Sequence, residues 1–208
     1  MSRRSSRPQT ALTELAAGAW QTAAEFGLLL RDPVFWGLGV PHGDGHPVLV
    51  LPGLAAGDAY LTPLRDWLRR TGYTPIKSGI ERNPGWSEEL VAELSAVARR
   101  ACRAHGRPVS VIGHSMGGLQ GRSVAARHAE IVRQVITLGS PLSLSRSRLP
   151  ASVRMTAIYT RADRIVRYPN ALAPEPSAHN IEVPGSHAGL AFNPTVYRTL
   201  ARLLRPGS

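Results

Sequence analysis

From residue 47 onward, short apolar runs alternate with longer stretches of helical periodicity. Val48-Leu49-Val50-Leu51 is apolar at every position and stops at Pro52-Gly53, the pattern of a strand buried on both faces. Similar runs at Thr74–Ser78, Val109–Ile112, Val135–Leu138, Met155–Tyr159 and Ile181–Val183 predict further strands. Between them, helices are predicted over Tyr60–Thr71, stopped by Gly72, and over Ser87–His105, with Ser87 as cap and Gly106 as stop. A helix from Met116 to His128 follows the third strand, and Asn193-Pro194 opens a terminal helix through Leu203. This alternation predicts an α/β fold, a mainly parallel sheet of about six strands with helices on both faces.

Ahead of that domain the pattern changes. Residues 1–9 are polar and basic and read as a disordered tail, residues 10–42 as an N-terminal helix and connector, and residues 43–208 as the α/β domain. Leu12, Leu15, Ala16, Ala19 and Ala23 recur at helical spacing, with Trp20 and Phe26 nearby. Two readings stay open: an amphipathic helix packed on the domain, or a helix lying in a membrane interface. Glu14, Gln21 and Glu25 interrupt the apolar stretch, which argues against a signal peptide, so a cytoplasmic and at most membrane-peripheral protein is expected.

Composition narrows the classes. With 43% hydrophobic and 19% charged residues, global disorder is excluded, and one cysteine excludes an intramolecular disulfide framework or a cysteine-cluster metal site. Twenty-five Lys and Arg against 14 Asp and Glu leave a charge of +11. The arginines are scattered, without interleaved aromatic motifs, so a specific nucleic-acid partner is not expected, whereas weak association with anionic membrane surfaces is. The oligomeric state stays open.

Gly113-His114-Ser115-Met116-Gly117 matches G-x-S-x-G, and a predicted strand precedes it and a predicted helix follows. A serine at the apex of so sharp a turn has a strained backbone, and side chains two residues to either side would collide. Glycine at both places removes the clash. A nucleophilic serine needs a base and a carboxylate to orient that base, and an elbow serine has both downstream of it. The acids there are Glu130, Asp163, Glu175 and Glu182. Only Asp163 lies just past the carboxyl end of a predicted strand without belonging to a helix or a strand. Among the histidines, His128 is helical and His179 precedes the last strand, whereas His187 follows it on a glycine-flanked loop. Ser115, Asp163 and His187 therefore form the candidate triad. Two backbone N–H donors are also needed for an oxyanion, and Met116 and Leu54 are placed to supply them. His42-Gly43-Asp44-Gly45-His46 reads as a turn, with no recognised metal-ligand spacing, and Cys102 as a small core residue.

With these residues in place, the chain resembles the α/β-hydrolase superfamily, more narrowly small bacterial esterase- or lipase-like serine hydrolases. The likeness runs from about Gly43 to the C-terminus. It rests on Pro47-Val48-Leu49-Val50-Leu51-Pro52-Gly53, on Gly113 to Gly118, on Leu138-Gly139-Ser140-Pro141, on Asp163 and on Gly185-Ser186-His187. Many lipases have His-Gly where this chain has Pro52-Gly53, and the interval from Pro141 to Met155 leaves no room for a large cap or lid. The resemblance implies hydrolysis of carboxylic esters of short to medium acyl chains through an acyl-enzyme, without metal or organic cofactor. Leu142, Ile165, Val166 and Leu190 are expected, with Leu54 and Met116, to offer apolar contact to the acyl chain. An acyltransferase using the same triad, and a non-catalytic binding module on the same fold, are the alternatives.

Overall fold

The computed structural model describes residues 20–206. The predicted tail and the positions Leu12, Leu15, Ala16 and Ala19 lie outside the described residues. A first helix, α1, occupies residues 20–31 and is followed by a short 3-10 turn, Pro33–Trp36. The strands are β1 (Pro47–Leu51), β2 (Thr74–Lys77), β3 (Val109–His114), β4 (Val132–Leu138), β5 (Arg154–Tyr159) and β6 (His179–Glu182). Between and after them run α2 (Thr62–Arg70), α3 (Glu88–His105), α4 (Met116–Arg127) and α5 (Pro194–Leu204).

The six strands form one sheet in the order β2-β1-β3-β4-β5-β6, and every neighbouring pair is parallel. Side chains alternate along each strand, so one sheet has two buried faces. Val48, Val50, Ile112, Ile136 and Ile158 pack on one face against α1, α2 and α5, through Leu29, Leu64, Trp67 and Leu200. Leu49, Leu51, Val111, Val135 and Ala157 face the other way, against Leu90, Leu94 and Ala98 of α3 and Val124 of α4. Each fully buried Leu or Val side chain stabilises this sandwich by about 1.5–3 kcal/mol relative to exposure.

Local chemistry sets the ends of the elements. Ser87 accepts a hydrogen bond from Leu90 N at the start of α3, and Gly106 closes that helix in the left-handed conformation. Asn193 caps α5 through Thr195 N and Val196 N. The predicted helix over Tyr60–Thr71 divides into a 3-10 turn, Asp58–Leu61, and α2, because Pro63 restarts the helix in its first turn.

Helix α1 lies against the domain. Leu29 is fully buried, Phe26 meets Phe192 at a ring separation of 5.3 Å, and Asp32 just beyond the helix pairs with Arg198 of α5 at 2.6 Å. Its inward face carries Glu25, Phe26 and Leu29, whereas Ala23, expected in the apolar stripe, is exposed. Among the described residues no helix is long and apolar enough to cross a membrane.

Candidate active site

β3 delivers the chain to Ser115 and α4 takes it away. Between them Ser115 sits at φ 52°, ψ −121°, one of two non-glycine residues with positive φ among those described. Such a conformation costs about 1–3 kcal/mol and persists only where its surroundings enforce it. The enforcement is visible in the flanking glycines. A Cβ on Gly113 would overlap the Gly117–Gly118 backbone, and one on Gly117 would overlap the Leu51 carbonyl and lie 2.7 Å from that of Pro52. The glycines thus let the turn press on the end of β1, while Ser115 N donates to Leu138 O of β4 at 2.8 Å.

Asp163 lies four residues beyond β5. Its Oδ1 accepts from the backbone N–H of Ile165 and of Val166, both at 2.8 Å, and its Oδ2 is 2.6 Å from His187 Nδ1. A carboxylate already holding two N–H donors is the acceptor in the third bond, so Nδ1 of His187 carries the proton and Nε2 presents a lone pair. The carboxylate side chain is 1% exposed and the imidazole 9%. A Cβ on Gly139, the residue after β4, would come within 3.1 Å of Asp163 Oδ2 and 3.3 Å of His187 Nδ1. The acid–base pair therefore sits directly beside the strand end that holds Ser115. No hydrogen bond joins Ser115 Oγ to His187 among the described residues. In free enzymes that bond is commonly long and tightens with substrate.

The loop from β1 passes the nucleophile closely. A Cβ on Gly53 would be 3.1 Å from Ser115 Cβ and from His114 Nδ1. After Leu54 the chain turns at Ala55, the other non-glycine residue with positive φ among those described. The backbone amides of Leu54 and Met116 donate to no described protein group, and the first-turn amide of a helix has no intrahelical acceptor.

A model of the alpha/beta hydrolase fold matches residues 47–168. The chain belongs to that family. A triacylglycerol lipase of Pseudarthrobacter phenanthrenivorans is 30% identical over 105 residues, covering 46% of this chain and 33% of the lipase, so the match spans about a third of that relative's length. Among solved structures, a Paleococcus ferrophilus monoacylglycerol lipase superposes with a TM-score of 0.58 at 13% identity, over 79% of this chain and 96% of its own. A Bacillus licheniformis lipase in its propeptide form gives 0.61 at 16% identity, over 82% and 52%. At these identities the structural matches establish the fold.

Several buried groups around Ser115 and His187 have no motif. His114 is 4% exposed, and its Nε2 donates to His187 O at 2.9 Å. Burial, with the nearby His187, pushes its pKa down to about 4, so its Nδ1 carries no proton at neutral pH. Asn83, legible in the sequence only as part of an Asn-Pro-Gly turn, braces the loop after β1. Its Nδ2 donates to Pro52 O at 2.8 Å, its backbone N–H to Ala56 O at 2.8 Å, and its carbonyl accepts from Ala55 N at 2.8 Å. Its side-chain amide also pairs reciprocally with Gln120 of α4, both bonds 3.0 Å. Asn83 is 1% exposed and Gln120 fully buried, so the pair ties the loop after β1 to the helix that begins just after Ser115. Replacing Asn83 with Ala leaves the Gln120 amide with fewer partners in the core, and we expect stability to fall by about 1–3 kcal/mol. Thermal unfolding of the natural and variant proteins checks this, and an unchanged midpoint would show that the pair does not brace the loop.

The acids passed over in the sequence have partners of their own. Glu175 pairs with the buried guanidinium of Arg122, which also donates to Ser145 Oγ and Ser147 O and so pins the segment between β4 and β5. Glu182 pairs with Arg161 at 2.9 Å, and Glu130 lies 3.6 Å from His128 and 4.0 Å from Arg99. In the predicted turn before β1, Asp44 pairs with Arg107, and His46 Nε2 bonds Ser110 Oγ at 2.9 Å. Cys102 is half-buried, packed at the edge of the core under α3.

The structure buries three of the residues expected to contact an acyl chain. Leu142 is 1% exposed, because a 3-10 turn at Leu142–Leu144 directs it into the core under α4. Leu190 is fully buried, with its Cδ1 beside Gly139 beneath the acid–base pair. Val166 is buried in a small cluster with Tyr159 and Ala171. Of the residues named, Leu54 and Ile165 expose apolar surface, and the sequence reading missed Trp86, which is also exposed and bonds Ser123 of α4 through its indole N–H.

Proposed function

We propose that this chain is a serine hydrolase that cleaves carboxylic esters of short to medium acyl chains through an acyl-enzyme on Ser115. The observation that carries the reading is the 2.6 Å Asp163–His187 pair, set beside a serine held at positive φ on a glycine-flanked turn. A binding module has no use for a strained serine next to an oriented imidazole.

The reaction follows from the tautomer. His187 Nε2 takes the proton of Ser115 Oγ as the oxygen attacks the ester carbonyl carbon. The carbonyl oxygen gains negative charge and is held by the N–H groups of Leu54 and Met116. The imidazolium, steadied by Asp163, then gives its proton to the departing alcohol oxygen as the carbon–oxygen bond breaks. Water repeats the cycle, its proton going to His187 and its oxygen to the acyl carbon, and the acid leaves as Ser115 recovers its proton. The likeness to triacylglycerol lipases supports an ester as substrate. The formal charge of +11 adds weak attraction to anionic surfaces.

Fluorophosphonate labelling of the natural protein and of Ser115→Ala, beside an acetyl-to-palmitoyl aryl ester series, tests this. We expect labelling and turnover to vanish together in the variant, with a maximum at short to medium chains. Folded natural protein that neither labels nor turns over would overturn the reading.

A further inference from the structure

Helix α1 precedes the matched family region, which begins at residue 47, yet it reaches the loop that carries His187. Glu25 Oε1 accepts from Ser186 N at 2.7 Å, and Glu25 Oε2 accepts from Ser186 Oγ at 2.6 Å. Ser186 Oγ accepts in turn from Gly189 N at 3.0 Å, so one carboxylate organises both sides of His187. The carboxylate lies so close that a Cβ on Gly189 would overlap it, and one on Gly185 would be 3.2 Å from Oε1. The helix cannot easily drift, because Leu29 is fully buried and the Phe26 ring packs at a tilt against Phe192 of the turn after the loop.

The remaining groups of the loop are held by the hydrolase core. Thr160 Oγ1 donates to Gly185 O at 3.0 Å, His114 Nε2 to His187 O at 2.9 Å, and Tyr60 OH to Ala188 O at 2.9 Å. None of these holds the backbone N–H of Ser186, the residue immediately before the imidazole.

We propose that Glu25 is a positioning residue for His187, acting through Ser186, and that α1 is thereby a working part of the active site. The inference rests on the serine-hydrolase reading for its effect on rate, but its structural core can be read without turnover. An imidazole displaced by a fraction of an ångström loses its aim at Ser115 while the ester-binding surface stays as it was, so the rate of the chemical step should fall more than substrate affinity.

The test uses the full chain with Glu25→Ala, Glu25→Gln, Ser186→Ala and the Glu25→Ala/Ser186→Ala double variant. It measures kcat and KM on a short aryl ester, thermal midpoint, and solvent exchange of the His187 Nδ1 proton by low-field proton NMR. For Glu25→Ala we expect kcat to fall about 10- to 100-fold with KM within about twofold, and the Nδ1 proton to exchange faster. Ser186→Ala should do the same, and the double variant should lose no more than either single one. Glu25→Gln, which keeps an acceptor for Ser186 N, should recover most of kcat. An Nδ1 proton exchanging as slowly in Glu25→Ala as in the natural protein, or losses that multiply in the double variant, would overturn the proposal. If the natural protein shows no turnover, faster exchange in Glu25→Ala still supports the positioning, and the failure lies with the hydrolase reading.

Discussion

Asp163→Asn is expected to fold normally and to lose about 10³- to 10⁴-fold in kcat on esters, some 4–5.5 kcal/mol of transition-state stabilisation. The size follows from which atoms the substitution changes. The asparagine oxygen can keep the two backbone bonds from Ile165 N and Val166 N, both 2.8 Å in the natural protein. Its NH2 group then faces His187 Nδ1, where a carboxylate oxygen stood at 2.6 Å. Two donors cannot share that space, so the imidazole moves its proton to Nε2 and can no longer accept one from Ser115. Asp163→Ala should cost a similar factor in rate but also stability, because it removes the acceptor for the two N–H groups. Steady-state kinetics with thermal unfolding of both variants checks the distinction. An Asp163→Asn protein within 10-fold of natural activity would mean that another group orients the histidine.

The second large effect is on stability in acid. Burial, with His187 close by, holds His114 at about 4, and burial, followed by Arg133 and Arg107, holds His46 at about 4. Both titrate near 6.5 in an unfolded chain. Between those values the unfolded chain binds more protons than the folded one, so stability rises with pH across this window and is lost as pH falls from about 6.5 toward 4. Each histidine contributes on the order of 3 kcal/mol to that loss, and the pair approaches the whole stability of a typical domain. The structural cost is specific. Protonated His114 would place an Nδ1–H where it has no acceptor, 3.1 Å from the position a Cβ on Gly53 would take. Urea midpoints measured from pH 7 to 4.5 should fall steadily, and His46→Gln should flatten the slope by about half. A midpoint independent of pH in that range would show that neither histidine stays neutral in the fold.

What the sequence shows and what it hides divide along a physical line. The sheet is legible because strand burial leaves local traces: uninterrupted apolar runs ended by Pro52-Gly53, and helices bounded by Ser87, Gly106 and Asn193. The elbow is legible because its steric demand falls on glycines two residues away. Asp163 and His187 could be singled out because parallel strands deliver loops to one edge, and their position after a strand is a property of local order. Leu142, Val166 and Leu190 lie buried where the sequence leaves their exposure open, because nearness to the site does not fix it. Whether a loop leucine faces solvent or core depends on the turn that follows it, as the 3-10 turn at Leu142 shows. The supports of the site are the least legible. Asn83 and Gln120 are 37 residues apart and Glu25 and Ser186 are 161 apart, so neither pairing leaves a local pattern.

The loop around His187 is tied to residues scattered from Glu25 through Tyr60 and His114 to Thr160. Contacts from four separate parts of the sequence converge on a loop of a few residues, so the loop's shape is a product of the completed tertiary fold and not of its local sequence. Its backbone amides should accordingly exchange with solvent only as readily as the fold opens around them.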